Sequence, residues 1–366
     1  MTRVARAAAE LWPLVIPIAA ALVLILFWGR DVGHPVGVIG VVVVLVGAVL
    51  AALRQAVTVA RRVGEPAGSL LLAVSVTVIA VALIVPLMIS GGHGAAALTR
   101  DTVFAAVMIT VNGIVGVSLL IGVLRFGVVP FSADGAVAAM ATVASVVFLA
   151  LVVPAFATSR TVSEFSSGQL VFAAVVSLLL YGMFVRTRTG RHRECVLPVP
   201  LSGTTGEDAP AAPVTGRRAR VSLGLLLVAL VAVVGLAKMT SSAIAAAVAG
   251  TGVPYSVVGM VIALLVLLPA TLAAVRAAVR DRIQISLNLA FGWAMASIGL
   301  TIPAIAVAAI WLDGPVFLGL EPAQLVLLAL TVVVSVVTVG ARRATALQGG
   351  VHLVLLAAYV FVSVNP

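Results

Sequence analysis

The sequence has few charged side chains, fewer carboxylates than bases, and almost no cysteine. Charged residues make up 9% of the 366 residues and hydrophobic residues 63%, whereas a soluble domain has about 25% charged and about 45–50% apolar residues. This shortage of charge excludes a water-soluble globular protein and a disordered chain. The single cysteine, Cys195, cannot form an internal disulfide, so a disulfide-built fold is excluded as well. The composition is that of a polytopic helical membrane protein.

Long apolar runs divide the chain into membrane-spanning candidates, since a spanning helix needs about 20 mostly apolar residues. Eleven such runs separate the polar and glycine- or proline-rich breaks. The runs are residues 11–28, 36–53, 67–89, 102–124, 136–156, 169–185, 221–238, 255–275, 285–310, 323–340 and 350–364. The first run is too long for a signal peptide and no small-residue cleavage site follows it. We therefore predict an all-α polytopic membrane protein with about eleven transmembrane helices.

The basic residues lie almost entirely on one side of these predicted spans. Of the 22 Lys and Arg residues, all but Arg30, Arg100, Arg160 and Lys238 fall at the N-terminus or in every second connection. Cytoplasmic connections carry such an excess of Lys and Arg. The asymmetry places the N-terminus in the cytoplasm and the C-terminus outside. It also explains the net charge of +10 without a nucleic-acid partner.

One polar segment, residues 186–220, interrupts the apolar pattern. It mixes arginines with prolines and glycines, which cannot bury a core, so it is predicted to be a flexible basic cytoplasmic loop. We favour the interpretation of this loop as a solvated tether over one in which its basic ends bind anionic lipid. Residues 1–35 then form an extra N-terminal helix, and residues 36–185 and 221–366 form two five-helix repeats. Because five is odd, related halves would be inverted in the membrane, as in many secondary transporters.

The two halves share a pattern of Arg-Asp steps followed by a helix with buried polar residues. Arg100-Asp101 precedes Asn112-Gly113, and Arg280-Asp281 precedes Asn288. For the two aspartates themselves we favour a role as helix N-caps at the interface.

Several motifs resemble bacterial calcium/proton antiporters of the sodium/calcium exchanger superfamily. The first repeat of that family is similar to three segments here: Gly64-Glu65-Pro66 through Ile84, Arg100-Asp101-Thr102, and Asn112-Gly113. The second repeat is similar to the segment from Leu264 through Pro303. The family also resembles this chain at Phe165 to Gln169 and around His352. The resemblance covers nearly the whole chain. It implies two inverted five-helix repeats plus an extra helix, a bacterial inner-membrane location, and exchange of Ca²⁺, or of Na⁺ or K⁺, for protons.

The resemblance also exposes a difference at the expected ion site. Each repeat of that family presents a glutamate at mid-membrane, and here Ala80 and Ala270 occupy those positions. The family positions define a candidate cation-binding region, with Ala80 and Ala270 expected to approach each other near the bilayer centre. Its residues are Ala80, Ala270, Thr77, Asn112, Asn288 and Ser297.

No carboxylate is expected near the middle of any span, because all twelve acidic residues fall in connections or at span ends. Ca²⁺ takes about six to eight oxygen ligands, usually with carboxylates among them, and proton coupling needs a group that titrates. Hydroxyls, amides and the carbonyls freed by Pro86, Pro269 and Pro303 remain. For any single hydroxyl, helix packing is the favoured role. An amide side chain is costlier to bury than a hydroxyl. For Asn112 and Asn288, a role in helix packing and a role in lining a central site therefore both remain open.

Three functions therefore stay open. The chain is a cation/proton antiporter, a transport-inactive exchanger (degenerate or engineered), or a carboxylate-free transporter of a monovalent ion or neutral solute. Its partners are the transported cation, protons and membrane lipid, and no cofactor is expected. An enzyme is disfavoured because no span offers paired acids, a metal motif or a nucleophile with its base. His352, near one end of the last run, is expected to have an interfacial or packing role rather than to relay protons.

Overall fold

The computed structural model describes residues 3–29, 35–64, 67–90, 95–131, 133–156, 167–189, 215–310 and 317–365. These parts of the chain are helical almost throughout. Backbone contacts group them into two compact units, Met1–Ala95 with Ser202–Gly252, and Ala96–Leu201 with Val253–Pro366. Each unit takes helices from both predicted repeats, and the inverted relation between the repeats stays a prediction.

The described residues of the first unit form four helices. They are α1 (Arg3–Phe27), α2 (Pro35–Val63), α3 (Ala67–Ser90) and α9 (Gly216–Thr251). Helix α2 packs against α1, α3 and α9. Because Pro17 has no N–H, the carbonyl of Pro13 lacks its donor within α1. The Gln55 side chain of α2 supplies it, with Nε2 2.7 Å from that oxygen.

The second unit contains the remaining helices. They are α4 (Leu98–Met108), α5 (Val115–Phe126), α6 (Ala133–Val147), α7 (Val153–Phe156), α8 (Ser167–Thr189), α10 (Tyr255–Val279), α11 (Ile283–Ala308), α12 (Pro322–Gly340) and α13 (Ala346–Val364). Two π-helical segments, Ile109–Ile114 and Phe148–Val152, join α4 to α5 and α6 to α7. Strands β1 (Val129–Pro130) and β2 (Arg343–Ala344) form a short antiparallel pair, with Val129 opposite Ala344.

Ten helices in the described part of the chain are long and apolar enough to cross a membrane. Helix α4, the π segment and α5 act as one such span, Leu98–Phe126. The apolar part of α1, Leu11–Phe27, is shorter, so the predicted eleventh span stays a prediction. Residues 190–214 of the predicted loop lie outside the described residues, whereas its ends continue α8 to Thr189 and begin α9 at Gly216.

Helix α9 is much longer than the run 221–238 that predicted it. Polar residues from Thr240 onward suggested an end, but their hydroxyls bond within the helix. Thr240 Oγ1 donates to the Leu236 carbonyl at 2.9 Å, and Ser241 Oγ donates to that of Lys238 at 2.9 Å. Such back-bonding allows hydroxyl residues to remain helical. The helix ends instead at Gly252, whose φ of +67° favours glycine.

The prediction that Asp101 and Asp281 are helix N-caps is wrong. Helix α4 begins after Ala97, so Asp101 lies one turn inside it and is buried. Asp281 follows Arg280, the C-cap of α10, with a φ of +58°, and Arg282 is the N-cap of α11. In this left-handed position Asp281 allows the Arg282 N–H to reach the Ala277 carbonyl at 3.0 Å, the pattern of a Schellman turn.

Candidate functional site

Helix α3 carries the part of the candidate region that lies in the first unit. Thr77 and Ala80 are both buried, with 7% and 6% of their surfaces exposed. Thr77 Oγ1 donates to the Ala73 carbonyl at 3.0 Å, so its hydrogen is used within the helix and only oxygen lone pairs remain for a ligand. This part of the region therefore offers neutral oxygen and no charge.

Helices α10 and α11, which pack against each other, carry Ala270, Asn288 and Ser297 in the second unit. Ala270 is 2% exposed and Asn288 8%, whereas Ser297 is half-buried. The Asn288 Oδ1 atom accepts a long hydrogen bond, 3.5 Å, from Nε2 of Gln284 one turn earlier. The predicted approach of Ala270 to Ala80 stays a prediction.

Prolines inside these helices leave backbone carbonyls without their usual donors. Pro86, Pro269 and Pro303 lie within α3, α10 and α11, and a proline cannot donate to the carbonyl four residues earlier. The affected carbonyls belong to Ala82, Leu265 and Gly299. Freed carbonyls are common ligands in transporter sites.

Asn112 points toward a different set of helices. It lies in the π segment near the middle of its span, with no exposed surface. Its Nδ2 atom donates to Thr331 Oγ1 of α12 at 2.9 Å, and its Oδ1 atom lies 3.0 Å from Nδ1 of His352 in α13. His352 Nε2 in turn lies 3.2 Å from Thr338 Oγ1. We call these four residues the Asn112 network.

The chemistry of the partners fixes the hydrogens of this network. Met108 Sδ lies 3.5 Å from Asn112 Nδ2, and because a thioether only accepts, the amide nitrogen is on that side. The amide oxygen of Asn112 then faces His352, whose Nδ1 must carry the hydrogen. Nε2 of the neutral imidazole accepts from the Thr338 hydroxyl. The network is thus complete with an uncharged His352.

Two glycines allow α13 to come close enough for these bonds. A Cβ atom on Gly116 of α5 would lie 3.0 Å from His352 Cβ and 3.1 Å from the Gly349 carbonyl oxygen. A Cβ atom on Gly349 would lie 2.9 Å from the backbone nitrogen of Leu120. Small residues commonly allow such close helix crossings in membranes.

An ion-pair cluster, buried at Arg100 and Asp101 and exposed at Glu321, joins the beginnings of α4 and α12. Arg100 Nε lies 2.8 Å from Asp101 Oδ1, and Arg100 Nη2 lies 2.9 Å from Glu321 Oε1. Gln324 Nε2 donates to the same Asp101 oxygen at 3.2 Å, while its Oε1 accepts from the Glu321 N–H at 3.1 Å. Every charge in this cluster has a partner of opposite sign, so Asp101 is held by Arg100.

Three of the twelve acidic side chains are described, those of Asp101, Asp281 and Glu321, and all three lie at helix ends or turns. Within the described parts of the chain, no group of three or more His, Cys, Asp or Glu side chains could hold a metal ion.

The sequence analysis missed three members of the Asn112 network and the ion-pair cluster, which are Gln324, Thr331 and Thr338. Their spacing of seven along one run placed them on a single helix face, which was the available signal.

The profile of the sodium/calcium exchanger protein family matches residues 33–190 and 221–365. The chain is 39% identical to the protein y4hA of Sinorhizobium fredii over 325 residues, 88% of this chain and 87% of that protein. It is 30% identical to the sodium-potassium/proton antiporter ChaA of Escherichia coli over 350 residues, 95% of this chain and 94% of that protein.

Two solved structures share the fold at low sequence identity. The structure of native YfkE matches with a TM-score of 0.65 at 15% identity, covering 96% of this chain and 98% of that one. The H⁺/Ca²⁺ exchanger CAX matches with a TM-score of 0.63 at 14% identity, covering 97% and 93%. The chain therefore has the fold of these helical membrane exchangers.

Proposed function

Since the chain belongs to the sodium/calcium exchanger protein family, we propose that it is a secondary antiporter that exchanges a monovalent cation, Na⁺ or K⁺, for protons. The observation that carries the choice of a monovalent ion is the pair of buried alanines, Ala80 and Ala270. The other residues of the candidate region carry hydroxyl, amide and carbonyl oxygens. The name of ChaA, a sodium-potassium/proton antiporter, supports the same choice.

The physical argument is the cost of removing water from the ion. A divalent cation is bound in proteins by many oxygens, usually with negative carboxylates among them. Neutral oxygens on Thr77, Asn288 and Ser297 supply dipoles without charge, which suits a singly charged ion better. The amide of Asn112 is already bonded to α12 and α13, so we leave Asn112 out of the proposed cation region.

We also propose that the N-terminus of this multi-pass membrane protein is cytoplasmic. The last turn of α2 carries Arg61 and Arg62, and α9 begins with Arg217 and Arg218. Positive residues concentrated at such helix ends favour the cytoplasmic side.

Ion-driven proton flux in proteoliposomes tests the proposed exchange. We expect an inward gradient of Na⁺ or K⁺ to raise the internal pH reported by a trapped dye, because protons leave as the cation enters. A Ca²⁺ gradient should give no more than the rate of protein-free vesicles. Flux driven by Ca²⁺ as strongly as by Na⁺ or K⁺ would contradict the assignment.

A transport-inactive exchanger is the second candidate, favoured by the same two alanines. It predicts that none of the three gradients moves protons, while the protein remains folded and monodisperse in detergent. The same proteoliposome measurement distinguishes the two candidates.

A further inference from the structure

Proton antiport requires a membrane-embedded group that binds and releases a proton near neutral pH. In the described spans, the buried ionisable side chains are those of Arg100, Asp101, Tyr181, Tyr359 and His352. Asp101 is paired with Arg100, and the ordinary pKa of tyrosine is about 10. His352 is the remaining group, and the pKa of histidine ordinarily lies near neutrality.

Within His352, the atom that can accept a proton is Nε2. Nδ1 already carries the hydrogen donated to Asn112 Oδ1, whereas Nε2 is an acceptor whose partner is the Thr338 hydroxyl. That hydroxyl can rotate and donate to the carbonyl of Val334, as threonines in helices commonly do. A proton on Nε2 would then meet the oxygen of Thr338 as its acceptor.

We propose that Nε2 of His352 is the proton-binding atom of the antiport cycle, and that the α12 residues Ser335 and Thr338 connect it to water. The proposal rests on the proposed antiport. The Nε2 lone pair takes a proton from water on one side, forming an imidazolium, and the same proton later returns to water on the other side. No other bond is made or broken.

The connecting residues form a buried polar stripe on α12. Thr331, Ser335 and Thr338 are spaced by four and three residues, so they share one helix face. Their exposures are 0%, 1% and 2%, and the buried Ser335 Oγ has no hydrogen-bond partner. Thr338 is two residues from the end of α12 at Gly340. The stripe therefore runs from the middle of the span to the end of the helix beside Arg342 and Arg343.

Among the described residues, no acidic side chain bonds to His352 to stabilise an imidazolium. The ionisable groups on the elements packed against α13, together with those of α13 itself, are Arg100 and Asp101 on α4, Arg125 on α5, Tyr255 and Arg276 on α10, Glu321 at the start of α12, Arg342 and Arg343 after it, and Tyr359 on α13. None of them bonds to His352 in the structure. Asp101 is eleven residues before Asn112, about 16 Å along the helix, and Glu321 is ten residues before Thr331, about 15 Å.

This isolation gives the site a release step. When the helices exclude water, a buried charge without a partner is unfavourable, so closure around His352 expels the proton. Opening at the Thr338 end would admit water and allow binding again. The π segment also packs against α10 and α11, which carry Ala270 and Asn288. A proton on His352 and a cation near these residues are like charges, so each disfavours the other.

The test compares His352→Gln with the unmodified chain in proteoliposomes. Glutamine keeps a donor and an acceptor but cannot titrate. We expect its proton-driven Na⁺ or K⁺ flux to fall to that of protein-free vesicles, while exchange of labelled for unlabelled cation at equal pH continues. Ser177→Ala, at a buried serine of α8 outside the network, serves as control and should keep both fluxes.

The outcomes separate this inference from the proposed function. Proton-driven flux of normal rate in His352→Gln overturns the role of His352 and leaves the antiport intact. Loss of both fluxes in a folded His352→Gln protein also overturns it, since His352 would then be structural. Absence of both fluxes in the unmodified chain overturns the proposed antiport itself.

A second variant keeps the proposal testable if His352→Gln does not fold. Thr338→Val removes the hydroxyl that donates to Nε2 of the neutral imidazole and accepts from Nε2 of the imidazolium. Because a hydrogen bond to a charged group is the stronger of the two, the protonated form loses more, and we expect the pH midpoint of antiport to move to lower pH. An unchanged midpoint, with normal maximal flux, would contradict the assignment.

Discussion

Replacing Arg100 with methionine is expected to destabilise the protein by about 3–5 kcal/mol, because removing one partner of a buried ion pair leaves the other charge uncompensated. Asp101 is 4% exposed and would lose its contact at 2.8 Å. The measurement is the free energy of unfolding in detergent micelles. The loss should also lower the thermal midpoint.

Glu321→Gln is the matched control at the same cluster. The Glu321 side chain is 56% exposed, and exposed ion pairs contribute about 0–1 kcal/mol. Glutamine also retains an oxygen for the capping interaction at the start of α12. Equal destabilisation by the two substitutions would show that burial of the Arg100–Asp101 pair does not determine how much Arg100 contributes to the free energy of unfolding.

Gly349→Ala is expected to destabilise the protein by about 1–3 kcal/mol, the usual cost of forcing extra atoms into a packed interior. The new methyl group would meet the backbone nitrogen of Leu120 at 2.9 Å and the Gly116 carbonyl oxygen at 3.0 Å. Backbone atoms cannot rotate away, so α13 must shift. The shift would also lengthen the bond between His352 and Asn112.

The next residue in the chain provides the control. A Cβ atom on Gly350 has nothing within 4 Å, and alanine is favoured over glycine in a helix interior by about 1 kcal/mol. Gly350→Ala should therefore be neutral or stabilising in the same unfolding measurement. If both substitutions had the same effect, the close crossing of α5 and α13 would not be the cause.

Most of the helices could be predicted because spanning length and hydropathy are local properties of the sequence. Each of the runs from 36–53 onward corresponds to a helix or helix pair of the structure. Helix ends were harder to predict, as in α9, where hydroxyl residues bond to their own helix. The contact units were not predictable, since they join residues far apart in the sequence.

The partners of Asn112 in the Asn112 network could not be predicted from the sequence. The cost of burying an amide correctly marked Asn112 as a residue that needs partners. The partners themselves, Thr331 and His352, are 219 and 240 residues away. The burial of His352 accompanies the close approach at Gly116 and Gly349, which no local pattern reveals. An interfacial or packing role was expected for His352, and its side chain is fully buried within the protein.

The central claim is that the alanines at positions 80 and 270 decide which ion is carried. Ca²⁺-driven proton flux in proteoliposomes tests it most directly, with the unmodified chain beside Ala80→Glu/Ala270→Glu and the uncharged match Ala80→Gln/Ala270→Gln. We predict Ca²⁺-driven flux in the glutamate variant alone, because only that variant supplies carboxylates to the ion. Ca²⁺-driven flux in the unmodified chain, or equal flux in the glutamine variant, would contradict the account.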